Sequence, residues 1–407
     1  MLPNGSGESF RAKLSTILFL TGIFFVNFTC RVILGPLMPA IEADLSINHT
    51  QAGGLFLLLS IGYFVSVVGS GFISARLGHR GTIILGALSL ALALFVLAGG
   101  RSLWAARAAL VLLGLTSGLY LPSGMALLMN LVQPRNLGKA VAIHELAPTI
   151  GFILCPMTAE FLLQKYSWRA APFLFGVLSA AGGLAFLIWG RKDESKGEAP
   201  SPRLLRSLVG KKPFWIIMAL FGLGVTAEMG IYSMLPLFLV AEKGFSRPWA
   251  NTLLALSRLP GPLMSFTAGW LTDRLGPARA LTIILLAAGL STLLLGLGSG
   301  NLLLAMIFLQ PSFAICFFPA GFTALSHIGR PSERNVVLSF TAPLAVLLGS
   351  GVLPAALGWM GEHLSFSLGL SLSGVLILSG AFLTRFLSEN RGPGDDREPP
   401  EEKAAGA

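Results

Sequence analysis

The chain has 407 residues, 54% of them hydrophobic and 12% charged, with a mean hydropathy of +0.74. A soluble domain carries about 25% charged residues, so this much apolar surface excludes the ordinary soluble classes. The net charge of +10 raises nucleic acid as a partner, but the placement of the basic residues along the chain removes it.

Apolar runs of about 20 residues are long enough to cross a bilayer as helices, and a helix satisfies its own backbone in lipid. Twelve such spans are expected, near 14–40, 51–74, 81–99, 103–131, 138–163, 171–190, 213–240, 250–272, 279–298, 301–326, 335–359 and 364–387. The first run is long, carries Arg31 and is followed by further spans, so it reads as a membrane helix and not a cleaved signal peptide. The fold class expected is all-α, with twelve transmembrane helices in two pseudo-symmetric six-helix bundles. The boundaries are an N-terminal bundle over 1–190, a charged Pro/Ser-containing linker over 191–212, a C-terminal bundle over 213–387 and a polar, Pro-rich tail over 388–407 that composition marks as disordered. Cys30, Cys155 and Cys316 all fall within apolar runs, as buried free thiols without metal spacing.

Lys and Arg concentrate on one side of these spans, in the pattern that marks the cytoplasmic face. That side holds Arg11, Lys13, Arg76, Arg80, Arg135, Lys139, the linker, Arg274, Arg279, Arg330, Arg334, Arg385, Arg391, Arg397 and Lys403. The other side holds Arg101, Arg107, Lys165, Arg169, Lys243 and Arg247. Both termini are therefore expected in the cytoplasm, with the chain in a bacterial inner (plasma) membrane.

The two halves repeat. GFISARLGHR from Gly71 and GWLTDRLGPA from Gly269 are 198 residues apart, and LPSGMALL from Leu121 matches FPAGFTAL from Phe318 at 197. Two motifs at nearly one offset indicate a parallel duplication of six-helix units, an architecture of transporters that rock two halves about a central site.

At these residues the chain resembles the major facilitator superfamily. The most specific marker is the turn after the second span, of the form Gly-x-Leu-x-Asp-Arg-x-Gly. The second copy supplies Gly269, Leu271, Asp273, Arg274 and Gly276; the first keeps Gly71, Arg76, Gly78 and Arg80 but has Ala75 in place of the acid. The Trp168–Arg169 pair before the sixth span and the Gly114, Gly118, Pro122 series are also similar to family patterns, the latter to organic-anion and nitrate branches. The resemblance implies a gating role for both turns, with the acid-less first turn the weaker latch and Ala75→Asp shifting the protein towards an outward-open state.

Ionisable residues within spans are costly and point to substrate or proton paths. Arg31 lies about nine residues from the expected outer end of its span, roughly 13 Å at 1.5 Å per residue, and Arg258 comes from the other half. Each either contacts an anionic substrate, for which a planar guanidinium is suited, or pairs with a carboxylate. Glu228, one helical turn before Tyr232, is either a proton-coupling acid or a fixed partner of Arg258 or Arg31. His144 and Glu145 either carry a proton or form a structural pair with Lys139 or a loop arginine. Tyr120, Tyr232, Asn27, Gln310 and Phe318 either line the cavity or pack between helices.

No phosphate-binding loop, metal cluster or nucleophile-and-base set is present, so neither an enzyme nor a cofactor is expected. The function expected is secondary active transport of a small organic anion such as a carboxylate, by alternating access and in symport with protons, by a monomer. The alternative is proton-coupled efflux of a lipophilic or cationic compound. The span-five stretch AIHELAPTIGFILCP departs from the Gly-rich motif of drug antiporters, which counts against that alternative.

Overall fold

The computed structural model describes residues 10–191, 193, 195–197, 210, 212–326 and 340–388. Arg330, Arg334, Arg391, Arg397, Lys403, most of the linker and the tail beyond Ser388 lie outside the described residues.

The described chain is helical, without strands among the described residues. Among the described residues, ten helices are long and apolar enough to cross a membrane: Phe10–Leu45, His49–Gly99, Leu103–Leu131, Pro134–Lys165, Ala170–Trp189, Phe214–Ala241, Pro277–Leu297, Gly300–Leu325, Phe340–His363 and Phe366–Leu387. The 51-residue helix His49–Gly99 bends at Gly78, whose φ is 70° and ψ 168°, and so contributes two crossings. The eighth crossing is made of two shorter helices, Arg247–Leu256 and Gly261–Leu275. Twelve crossings follow, numbered here as spans one to twelve in chain order. The first runs on to Leu45, five residues beyond its expected end, which places Arg31 fourteen residues from the helix terminus, or roughly 21 Å.

The repeat in the sequence is a repeat in the backbone. Gly78 and Gly276 close matching turns with φ of 70° and 78°, a region open to glycine at no steric penalty. Span four breaks at Gly118 and Leu119, and span ten at Ile315 and Cys316, 197 residues on. The hydrogen bonds around the two breaks correspond: Gly118 N donates to Gly114 O at 3.2 Å and Leu119 N to Thr116 O at 3.4 Å, as Ile315 N does to Pro311 O at 3.2 Å and Cys316 N to Phe313 O at 3.2 Å. Proline is the cause. Pro122 and Pro319 have no N–H for the carbonyls of Gly118 and Ile315 four residues earlier.

The same device recurs near several of the ionisable side chains within spans. Pro36 follows Arg31 and the break at Ile33, Pro148 follows the break at Glu145, and Pro260 and Pro262 both follow Arg258 at the break over 257–260. Glu228 sits in a π-helical turn, Thr226–Gly230, packed against a second π-helical turn, Leu347–Val352. The crossing is made by glycines: a Cβ on Gly230 would lie 2.3 Å from Gly349 O, and one on Gly349 would lie 2.5 Å from Thr226 N. Irregular backbone of this kind is tolerated at membrane depth where it is enclosed in protein or faces a cavity.

The side of the molecule bearing Gly78, Gly276 and the linker is called here the linker side, and the opposite the far side. The first six and last six spans meet mainly towards the far side. Span two lies against span eleven so closely that a Cβ on Gly53 would be 2.4 Å from Pro354 O, and one on Gly358 would be 2.3 Å from His49 O. Small residues allow this approach between membrane helices. The outer part of span one, Leu34–Leu45, packs on Ile231–Ala241 of span seven, and Arg247–Leu256 packs on Leu146–Lys165 of span five. The molecule is therefore closed on its far side.

Candidate functional site

Proline and π-helical breaks bring Arg258 and Glu228 together at mid-depth. Arg258 Nη1 donates to Glu228 Oε1 at 2.5 Å, and Nη2 reaches the Glu228 carbonyl at 3.4 Å. Both residues are buried, at 7% and 2% exposure. The guanidinium also lies over the rings of Phe152 at 4.7 Å and Tyr232 at 4.8 Å, and these two rings meet edge-to-face at 4.8 Å. Phe152 belongs to span five, so the pair touches both sets of six spans. The cavity beside it, bounded by Thr149, Phe152, Glu228, Ser257, Arg258 and Gly261, is about 10 Å³, room for about one water at most. Glu228 Oε2, Arg258 Nε and the Tyr232 hydroxyl are buried there without a hydrogen-bond partner.

Arg31 is placed differently. Its guanidinium stacks over Tyr63 at 4.3 Å and Phe28 at 5.5 Å. Its Nε is buried without a hydrogen bond, and among the described residues no carboxylate lies within ion-pair distance. Phe28 meets Phe152 at 5.1 Å, so two phenyl rings separate the two arginines. Arg31 and Glu228 are themselves 197 residues apart, the offset of the span-four and span-ten breaks: the duplicated positions carry opposite charges.

Tyr120 and His144 form a second buried group, at 2% and 0% exposure. The Tyr120 hydroxyl donates to Leu20 O at 2.6 Å and so accepts from His144 Nε2 at 3.1 Å. That assignment leaves Nδ1 as the ring nitrogen that faces Glu145 Oε1, at 3.4 Å. Phe24 stacks on both, at 5.5 Å from Tyr120 and 4.5 Å from His144. Glu145 itself is half exposed, and the basic side chain beside its carboxylate among the described residues is His144 and not Lys139.

Of the uncharged candidates, Asn27 donates to Ser117 O at 3.1 Å and Gln310 donates to Ala227 O at 2.8 Å; both tie neighbouring helices at their breaks. Phe318 packs against Phe317 and Phe322. The three cysteines are free and buried. In the turns, Arg80 donates to Leu187 O at 2.7 Å and Phe186 O at 3.5 Å, capping the end of span six. Arg76 is exposed, and Arg274 lies over Trp270 at 4.4 Å. Asp273 is exposed and has no ion-pair partner among the described residues. Gly71 and Gly269 occupy equivalent helical positions before the two bends.

One cluster escaped the sequence reading. Glu160, at the far end of span five, accepts from Arg247 Nε at 3.1 Å and Nη2 at 3.2 Å and from Asn251 Nδ2 at 3.0 Å. Asn251 also reaches Pro36 O at 3.4 Å. These contacts bind span eight to spans five and one across the far side. The signal was present, since Glu160 is an acid inside an apolar run, but its partner lies 87 residues away.

The helical architecture, the duplicated turns and the enclosed charges at helix breaks define a multi-pass membrane transporter and not an enzyme. The chain belongs to the Major Facilitator Superfamily, whose model matches residues 20–295 and 249–406. It is 24% identical to the 4-hydroxybenzoate transporter PcaK of Pseudomonas putida, over 84% of this chain and 86% of that one. It is also 24% identical to the multidrug resistance protein MdtL of Shewanella oneidensis, over 62% of this chain but 64% of that protein's length. A solved structure with the same fold is a bacterial homolog of the human lysosomal transporter Spinster, at a TM-score of 0.79 and 15% identity, covering 94% of this chain and 98% of that one.

Proposed function

We propose that this protein is a monomeric secondary active transporter that carries a small organic anion across the membrane together with a proton. It lies in the bacterial inner membrane with its linker side in the cytoplasm, as the basic residues of that side suggest. Its units are a bundle over 1–190, a linker over 191–212, a second bundle over 213–387 and a cytoplasmic tail over 388–407. The observation that carries the proposal is the charge balance at mid-depth: two arginines, Arg31 and Arg258, against one carboxylate, Glu228, which is already bonded to Arg258. The surplus is positive, and an anion neutralises it.

The same arrangement supplies the coupling. A substrate carboxylate that approaches Arg258 competes with Glu228. Displaced and enclosed, Glu228 would be an unpaired buried charge, worth about 3–5 kcal/mol of destabilisation, unless it takes a proton. Anion and proton thus enter together. His144 and Glu145 form the second proton site, because protonation of Nδ1 turns a bare contact into a charged hydrogen bond. The rings of Phe28, Tyr63, Phe152 and Tyr232 line the path and favour an aromatic acid, in keeping with the substrate for which PcaK is named. Closure requires that the loaded site differ in affinity between the two states.

The test is uptake of radiolabelled benzoate-type monocarboxylates by proteoliposomes, with and without an imposed pH gradient. Uptake should rise with the inward proton gradient and fall at least tenfold in Arg31→Ala and Arg258→Ala. Uptake indifferent to both substitutions overturns the anion site, and extrusion of lipophilic cations driven by the inward proton gradient supports export instead.

A further inference from the structure

The first turn lacks the acid of its twin but is not bare. His79 N donates to Ser195 O at 3.1 Å, and Gly197 N donates to Ser74 O at 3.2 Å. These two bonds straddle Ala75. The linker backbone at 195–197 therefore lies lengthwise on the turn, pinned on either side of the position where the second copy has Asp273. The strap is shaped by its own side chain: Asp193 Oδ1 accepts from Ser195 N at 2.6 Å, and the Asp193 carboxylate acts electrostatically on His79. The fit is close. A Cβ on Gly197 would lie 2.0 Å from Ser74 Oγ, and one on Gly78 would lie 3.1 Å from Ser195 O. At the second turn the only backbone bonds among the described residues are those of its own helices, such as Gly276 N to Thr272 O at 2.9 Å.

Span two carries the first turn at its linker-side end and presses on span eleven at its far end. If the two halves rock as bodies about their crossing, opening the far side brings the linker-side ends of these helices together. The surface of the first turn is then wanted by the other half, and it is already covered. We propose that Asp193 and residues 195–197 form a strap that occupies the first turn in place of the missing acid and must leave it before the linker side can close. The strap thereby holds the protein in the far-side-closed state seen here.

The test reads conformation and needs no substrate, so it stands apart from the transport proposal. Ser60 is buried at 3% exposure at the seam between spans two and eleven, where a Cβ on Gly351 would lie 2.7 Å from its Cβ. A Ser60→Cys reporter is reached by a membrane-impermeant maleimide from the far side only when that seam opens. The native thiols are buried, which keeps the background low. In sealed vesicles, Gly197→Val should raise the labelling rate of the reporter at least threefold by displacing the strap. The pair Ser74→Cys and Gly197→Cys should cross-link under mild oxidant and lower that rate at least threefold, with recovery on reduction. Unchanged labelling in Gly197→Val, failure of the pair to cross-link, or a cross-linked protein that labels at the parent rate each overturns the strap.

Discussion

Arg258 and Glu228 meet at 2.5 Å beneath the rings of Phe152 and Tyr232, and each is nine-tenths buried or more. Removing one member of such a pair leaves the other as an uncompensated charge, about 3–5 kcal/mol. Arg258→Ala should therefore lower the thermal stability of the purified protein sharply, and adding Glu228→Gln to that variant should recover most of the loss. Scanning fluorimetry of the two single variants and the double variant gives the answer. Additive losses would mean that the two residues do not depend on one another.

The Glu160 contacts to Arg247 and Asn251 make a second prediction. Arg247 is partly exposed, so the contact sets the balance of states more than total stability. Glu160→Gln should weaken the charged bonds and keep the shape, raising far-side labelling of a Ser60→Cys reporter by a few-fold. Labelling identical to the parent would show that spans two and eleven close that side alone.

Gly53 tests the seam between those spans directly. Its Cβ position is 2.4 Å from the Pro354 carbonyl, and backbone on both sides leaves nothing flexible to yield. Gly53→Ala should force the helices apart at about 1–3 kcal/mol in the far-side-closed state. The protein should shift towards a far-side-open form, detectable as greater spin-label separation between the far ends of spans two and eleven.

Tyr120 orders the His144 site. Its hydroxyl both donates to Leu20 O and accepts from His144, so Tyr120→Phe strips a partner from each, at about 1–3 kcal/mol. If His144 carries a coupled proton, the variant should also change the pH dependence of anion uptake, whereas a purely structural Tyr120 would lower stability and leave the pH profile in place. Uptake measured from pH 5 to 8 separates the two.

Much of this molecule was legible one residue at a time. Span lengths come from local hydropathy, because lipid demands a helix wherever about 20 apolar residues run together. Breaks follow from prolines, each of which removes a known hydrogen bond, and the matched turns of Gly78 and Gly276 follow from two similar strings at one offset. The in-span charges drew attention by their cost. Their partners were another matter. Glu228 had two candidate arginines, and only helix rotation and the π-helical turn of Thr226–Gly230 selected Arg258 and left Arg31 on Tyr63 and Phe28.

The amino-acid sequence by itself determined the membrane class, the twelve crossings and the twofold repeat, since each depends on nearest-neighbour chemistry or on self-comparison. Tertiary structure alone decided that Glu160 meets Arg247 and Asn251 on the far side, and that residues 195–197 of the linker lie on the turn that lacks the acid. The physical reason is that such a contact depends on how segments cross and roll against one another, a relation between residues 87, 116 or 123 positions apart that no local pattern encodes.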